Sequence, residues 1–260
     1  MKYKDTGKGA RIALLDTIRG VTLLSMILYH ACWDAVWLLG APWDWYHGKG
    51  AFLWQQSICW TFILLSGLCV PFSRRILRRG AEVFAAGALV TAVTVIALPE
   101  ERVVFGVLTL LGSCMLILGI FRRVTGDRAY PAAALITVLA LSAVLFVCTR
   151  HVNAGVLGPG HPFVQALPGT LYRDYFTAWL GFPPPGFFST DYFSMIPWAF
   201  LYLCGDMTGR LMLRKRCFDR PVFTFEIPVF SFMGRHSLLI YLLHQPVLYL
   251  GVLLAMRLRG

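Results

Sequence analysis

Four ionisable residues recur at helical spacing through the first apolar segment of the chain. Asp16-Thr17-Ile18-Arg19-Gly20 leads into an apolar run that carries His30 and Asp34. At about 100° and 1.5 Å per residue, Asp16, Arg19, His30 and Asp34 fall within a sector of about 60° and span about 27 Å. Ionisable groups at membrane depth are costly unless they face protein or a watery cavity, so such a stripe marks candidate chemistry. Asp16 and Arg19 are also spaced to pair simply with each other at the cytoplasmic interface. Asp34 lies one turn beyond His30, where a carboxylate can orient an imidazole and stabilise its charged form, as a general base requires. His47, in Trp43-Asp44-Trp45-Tyr46-His47-Gly48-Lys49, is a second candidate base, in a loop that an external molecule can reach.

A second polar stripe lies near the other end of the chain. Ser237, Tyr241, His244 and Gln245 share one helical face just before Pro246 and are candidate substrate contacts. This stripe is suited to pack against the first. Other chemistries lack their residues. Gly7-Lys8-Gly9 has neither the preceding glycine nor the strand of a phosphate loop, and H-E-x-x-H and G-x-S-x-G are absent. The seven cysteines show no C-x-x-C spacing and read as small buried hydrophobes, so no metal is expected.

The elements that must position these residues read as membrane helices. Of 260 residues, 57% are hydrophobic and 14% charged, against about a quarter charged in soluble domains. About seven apolar segments approach the roughly 20 residues that cross a bilayer, at about 14–39, 51–72, 81–98, 103–121, 130–149, 192–213 and 237–256. The fold class expected is therefore all-α, a polytopic bundle forming one transmembrane domain over residues 1–260. The third and fourth segments, joined by Pro99-Glu100-Glu101-Arg102, read as an antiparallel hairpin. Residues 150–191, rich in Gly, Pro and aromatics, read as an ordered external cap. Met1–Arg11 is basic but does not read as a removable leader.

The excess of 24 Lys and Arg over 13 Asp and Glu falls largely in alternate loops, such as Arg74-Arg75-Ile76-Leu77-Arg78-Arg79 and Arg122-Arg123. Basic residues collect on the cytoplasmic side, so the N-terminus is expected there and residues 150–191 outside. This pattern reflects topology rather than nucleic-acid binding.

The residues that carry the candidate chemistry also carry a resemblance. L-D-T-I-R-G-V-T-L-L-S-M-I-L-Y-H (Leu15 to His30), F-I-L-L-S-G (Phe62 to Gly67), F-G-V-L-T-L-L-G (Phe105 to Gly112), I-P-W (Ile196 to Trp198) and G-R-H-S-L-L-I-Y-L-L-H-Q-P (Gly234 to Pro246) resemble the catalytic domain of heparan-alpha-glucosaminide N-acetyltransferases. Arg19 with ten residues before His30 is also similar to the R-x10-H pattern of the wider transmembrane acyltransferase superfamily. The resemblance implies transfer of acetyl from cytoplasmic acetyl-CoA to an external acceptor, and a homodimer. In the lysosomal enzymes asparagine stands where His30 matches, and the catalytic histidine of the following loop falls at about His47. The chain is shorter than those enzymes and lacks their lumenal domain, so a bacterial glycan or amino sugar is as good an acceptor as heparan sulfate.

The expected function is thus a multi-pass acyltransferase of a bacterial cytoplasmic membrane, with Asp16, Arg19, His30, Asp34 and His47 as catalytic candidates. His47 is favoured for the chemistry and His30 for orienting the thioester or relaying a proton. Arg74, Arg75, Arg122, Arg123 and Arg235 are candidates for the CoA phosphates, since guanidinium groups bind phosphate bidentately. The competing reading is a small transporter or channel that uses the stripe as a proton or solute path. The orientation is testable: Arg78→Cys and Thr170→Cys should be labelled from opposite faces of the membrane, and labelling from one face would overturn it.

Overall fold

The computed structural model describes residues 12–126 and 130–259, with side chains through Leu258. Met1–Arg11, including Gly7-Lys8-Gly9, lies outside the described residues. The described residues are mainly helical: α1 Ala13–Trp37, α2 Lys49–Leu68, α3 Ile76–Ala97, α4 Val107–Thr125, α5 Ala132–Thr149, α6 Tyr175–Leu180, α7 Met195–Arg214, α8 Pro228–Arg235 and α9 Ser237–Arg259. The expected all-α membrane fold is found. Five helical segments are long and apolar enough to cross a bilayer, namely Lys49–Phe72, Ile76–Ala97, Val107–Thr125, Ala132–Ala154 and Ser237–Leu258. The last has only 11% of its apolar window buried within the protein, so its remaining surface is suited to lipid. α1 and α7 are as long, but carry ionisable side chains along their length.

Several boundaries differ from the sequence reading. The segment after Ser73 is not all loop, because α3 starts at Ile76 and takes up Arg78 and Arg79. α4 starts at Val107 rather than Val103: Phe105 has φ 56°, and residues 103–106 instead bond to the segment before α7, through Val104 N–H to Ser189 Oγ and Phe193 N–H to the Phe105 carbonyl. α7 starts at Met195 rather than Tyr192, with Ile196 extended as the residue before a proline must be. Residues 150–191 hold a small hairpin, β1 Val156–Gly160 against β2 Phe163–Ala166, and the helix α6, capped reciprocally by Asp174 and Thr177. The eight-residue α8 is likewise an addition.

The chain divides into two compact units, Met1–Leu65 with Arg216–Gly260, and Ser66–Lys215. In the second, α3 and α4 form the expected antiparallel hairpin. Its helices meet at small residues: a Cβ on Gly80 would lie 2.9 Å from the Met115 side chain, and one on Gly112 2.6 Å from the Phe84 backbone. α7 approaches Gly67 and Leu68 in the same way, with a Cβ on Gly209 falling 2.5 Å from the Leu68 carbonyl oxygen. Residues 150–194 are tied down by polar contacts. Asn153 Nδ2 donates to the Gly181 carbonyl at 2.8 Å and to Ser194 Oγ at 3.0 Å, and Tyr172 donates to the Val152 carbonyl at 2.6 Å.

In the first unit α1 and α8 run antiparallel with their backbones in contact. A Cβ on Gly20 would fall 1.9 Å from the Phe230 carbonyl oxygen, and one on Gly234 2.0 Å from that of Asp16. Between these crossings Thr17 Oγ1 and Ser231 Oγ, both buried, lie 2.8 Å apart. The chain turns back at His236, so α9 runs parallel to α1. Ile240 and Tyr241 pack on a core of Leu23, Met26 and Ile58, closed by Trp54, Phe62 and Met233. Lipid tails are as apolar as leucine, so such association depends on close packing and interhelical hydrogen bonds. Gly20→Ala and Gly234→Ala should therefore each destabilise the protein by at least about 1–3 kcal/mol. Gly251→Ala in α9, where a Cβ meets nothing within 4 Å, should not. Thermal unfolding in detergent separates the cases, and equal stability of all three variants would contradict the packing.

Candidate functional site

The register set by Gly20 and Gly234 brings the two polar stripes together. His30 of α1 and His244 of α9 have ring centroids 5.0 Å apart, tilted by 59°. One turn further along α1, the Asp34 carboxylate, 2% exposed, accepts a hydrogen bond from Gln245 Nε2 at 3.2 Å. Only the amide nitrogen can donate to a carboxylate, so the Gln245 orientation follows, with Oε1 as the free acceptor. His244 Nδ1 bonds the Tyr241 carbonyl on its own helix. A carbonyl can only accept, so neutral His244 carries its proton on Nδ1 and presents a lone pair on Nε2. Both Nε2 of His244 and Oε1 of Gln245 are buried and have no hydrogen-bond partner among the described residues. Buried acceptors without donors are rare in folded proteins and mark this cluster.

An aromatic wall backs the cluster. Tyr29 lies edge-on to His30 at 6.0 Å and against Tyr46 and Trp54, each at 5.3 Å, and Trp54 Nε1 donates to Ser25 Oγ at 2.8 Å. Tyr46, in the 3-10 turn Asp44–His47, donates to the Tyr29 carbonyl at 3.3 Å. Burial pushes its phenol up from the ordinary tyrosine range, so it remains a neutral donor.

The other sequence candidates separate from this centre. His47 is exposed on the same turn, with Trp37 edge-on to its ring at 5.5 Å. Asp16 and Arg19 pair with each other at 3.0 Å, at the level where Gly234 meets α1, and both are largely buried. Tyr241 packs on the core with its ring 5.2 Å from His244, while Ser237 sits in the first turn of α9. Arg235 reaches Glu226 at 3.5 Å. In the second unit Arg74, Arg75 and Arg123 are exposed.

Arg122 differs from those three. Its side chain is 16% exposed, and its guanidinium donates to the Val70 carbonyl at 3.1 Å and lies 3.6 Å from Asp206, which also accepts from Arg210 at 3.0 Å. Asp206 is 1% exposed, and its carboxylate ties α7 to Arg122 of α4, which in turn reaches the turn after α2. Sequence reasoning missed Asp206 and Arg210. Their signal was an acid and a base four residues apart inside an apolar helix, which is the spacing of an intrahelical pair.

Residues 11–246 match the family model described as heparan-alpha-glucosaminide N-acetyltransferase, catalytic. The match covers most of the chain, which belongs to this family. No curated protein and no solved structure matches it.

Removing one partner of a buried ion network leaves the others uncompensated, at a cost of about 3–5 kcal/mol. Asp206→Ala should accordingly lower the unfolding temperature sharply, while Arg123→Ala, at an exposed neighbour of Arg122, should leave it nearly unchanged. An unaltered melting curve for Asp206→Ala would show that the network carries no stability.

Proposed function

We propose that this membrane acyltransferase takes acetyl from acetyl-CoA on the cytoplasmic side and passes it to an amine or hydroxyl of a sugar-type acceptor on the other. Seven helices, the five apolar segments together with α1 and α7, cross the bilayer with the N-terminus inside. The observation that carries the reading is the convergence of His30 and Asp34 with His244 and Gln245 in a chain of this family.

A thioester is attacked slowly by a neutral amine or hydroxyl, and a positioned base contributes about 10² to 10⁴ in rate. The sequence favoured His47 for this step, but His47 is exposed on its turn whereas His30 lies against His244 in the cluster, so His30 supplies that base. Asp34 on the same face offsets the charge it acquires, and the Tyr29–Trp54 wall limits its movement. His47, exposed beside Trp37, is the residue for meeting the acceptor as it approaches. Asp16 and Arg19, held by each other, act by fixing α1 rather than by touching substrate. Arg74, Arg75 and Arg123, all exposed, are suited to bind the phosphates of CoA, while Arg122 is engaged by Asp206.

Ligand binding to the folded state raises stability with concentration, so donor recognition can be tested before the acceptor is known. Acetyl-CoA should raise the unfolding temperature of the purified protein more than dephospho-CoA does, and free acetate should not raise it. Charge reversal at Arg74 with Arg75 should abolish the difference between acetyl-CoA and dephospho-CoA. A protein indifferent to acetyl-CoA at millimolar concentration would overturn the acetyltransferase reading.

A further inference from the structure

His244 is more than a neighbour of His30. Its Nδ1 is committed to the Tyr241 carbonyl, and its Nε2 lone pair is sealed from solvent without a donor. An imidazole held in this way is a proton acceptor in waiting, because its tautomer is already set and a second proton has one place to go. The ring of His30, 5.0 Å away between centroids, can reach that place from the same cluster. The next residue, Gln245, spans from His244 to the Asp34 carboxylate. Asp34 thus lies one helical turn from His30 and is bonded to the residue that follows His244, so a single carboxylate accompanies two imidazoles, a balance that favours one added proton over two.

We propose that His30 and His244 form a two-imidazole relay, in which His244 Nε2 receives the proton that His30 takes from the acceptor and returns it when the CoA thiolate leaves. This rests on the acetyltransferase reading. The acceptor nitrogen or oxygen forms a bond to the thioester carbonyl carbon and loses its proton to His30, which passes a proton on to His244. The carbon–sulfur bond then breaks, and the departing sulfur takes the proton back through His30. The products are the acetylated acceptor and CoA thiol, and both histidines end neutral. The titratable groups packed here are Tyr29 against His30, Tyr241 against His244, and, one layer further out, Tyr46 against Tyr29 with Cys32 and Asp34 in its surroundings. His244 acts through His30 and is a positioning residue rather than one that touches substrate.

The full chain in lipid nanodiscs, labelled with 15N-histidine, should show His244 as the Nδ1–H tautomer with an unprotonated Nε2. His244→Gln keeps a polar side chain but cannot take up a proton. It should retain stabilisation by acetyl-CoA and an unchanged KM for the donor, while kcat falls about 10²-fold. The pH profile of the residual rate should change shape, and added imidazole should restore part of the activity of His244→Ala. An Nε2–H tautomer in the wild-type protein, or a wild-type kcat and pH profile in His244→Gln, would overturn the relay and leave the acetyltransferase reading standing. Failure of the wild-type protein to bind acetyl-CoA would overturn both.

Discussion

The site depends on backbone contact between α1 and α8. Gly20 and Gly234 are the two positions where either helix presents no side chain to the other, and each admits a carbonyl oxygen where a Cβ would sit. This fixes how far α8 can slide along α1. Because α8 turns into α9 at His236, it also fixes which residues of α9 lie beside His30 and Asp34. A shift of one residue would rotate His244 by about 100° away from His30. The first and last of the sequence blocks that carry the family resemblance therefore supply both the packing glycines and, with His30, His244 and Gln245, most of the polar groups that the packing aligns.

Every polar side chain buried in such a protein has to be answered within the protein, since the hydrocarbon region offers no water. Thr17 answers Ser231, Asp16 answers Arg19, and Asp206 answers Arg122 and Arg210. Each ties one element to another or stiffens one helix, although Asp206 Oδ2 is left without a hydrogen-bond partner among the described residues. In the His30 cluster Gln245 answers Asp34, but two acceptor atoms, Gln245 Oε1 and His244 Nε2, are left open. Unanswered acceptors cost stability, and the one on the His244 ring is the atom on which the proposed relay rests.

Much of this centre was legible in the sequence. His30 and Asp34, like His244 and Gln245, stand out because ionisable and amide groups at helical spacing are conspicuous in apolar runs, and their meeting followed from two stripes of similar character. What the sequence did not disclose was the partner of each group. Asp16 and Arg19 looked like part of one continuous stripe, whereas they close on each other. Arg122 was grouped with its neighbours as a loop arginine, because nothing local announces an aspartate more than eighty residues away in α7. The helix α8 escaped because eight residues opening on Pro228 give too short a period to read. The start of α4 was displaced by pairing of residues 103–106 with the segment before α7, a tertiary effect with no local signal.

The claim on which the functional reading turns is that acetyl transfer occurs at the His30 centre. Radiolabelled acetyl-CoA and a set of amino-sugar acceptors, presented to reconstituted wild-type, His30→Ala and His47→Ala proteins under single-turnover conditions, test it directly. Labelled product should form with the wild-type protein, persist at a weakened rate with His47→Ala, and be lost by about 10²-fold or more with His30→Ala while donor binding is retained. Full turnover by His30→Ala with none by His47→Ala would move the chemistry to the exposed loop and contradict the assignment.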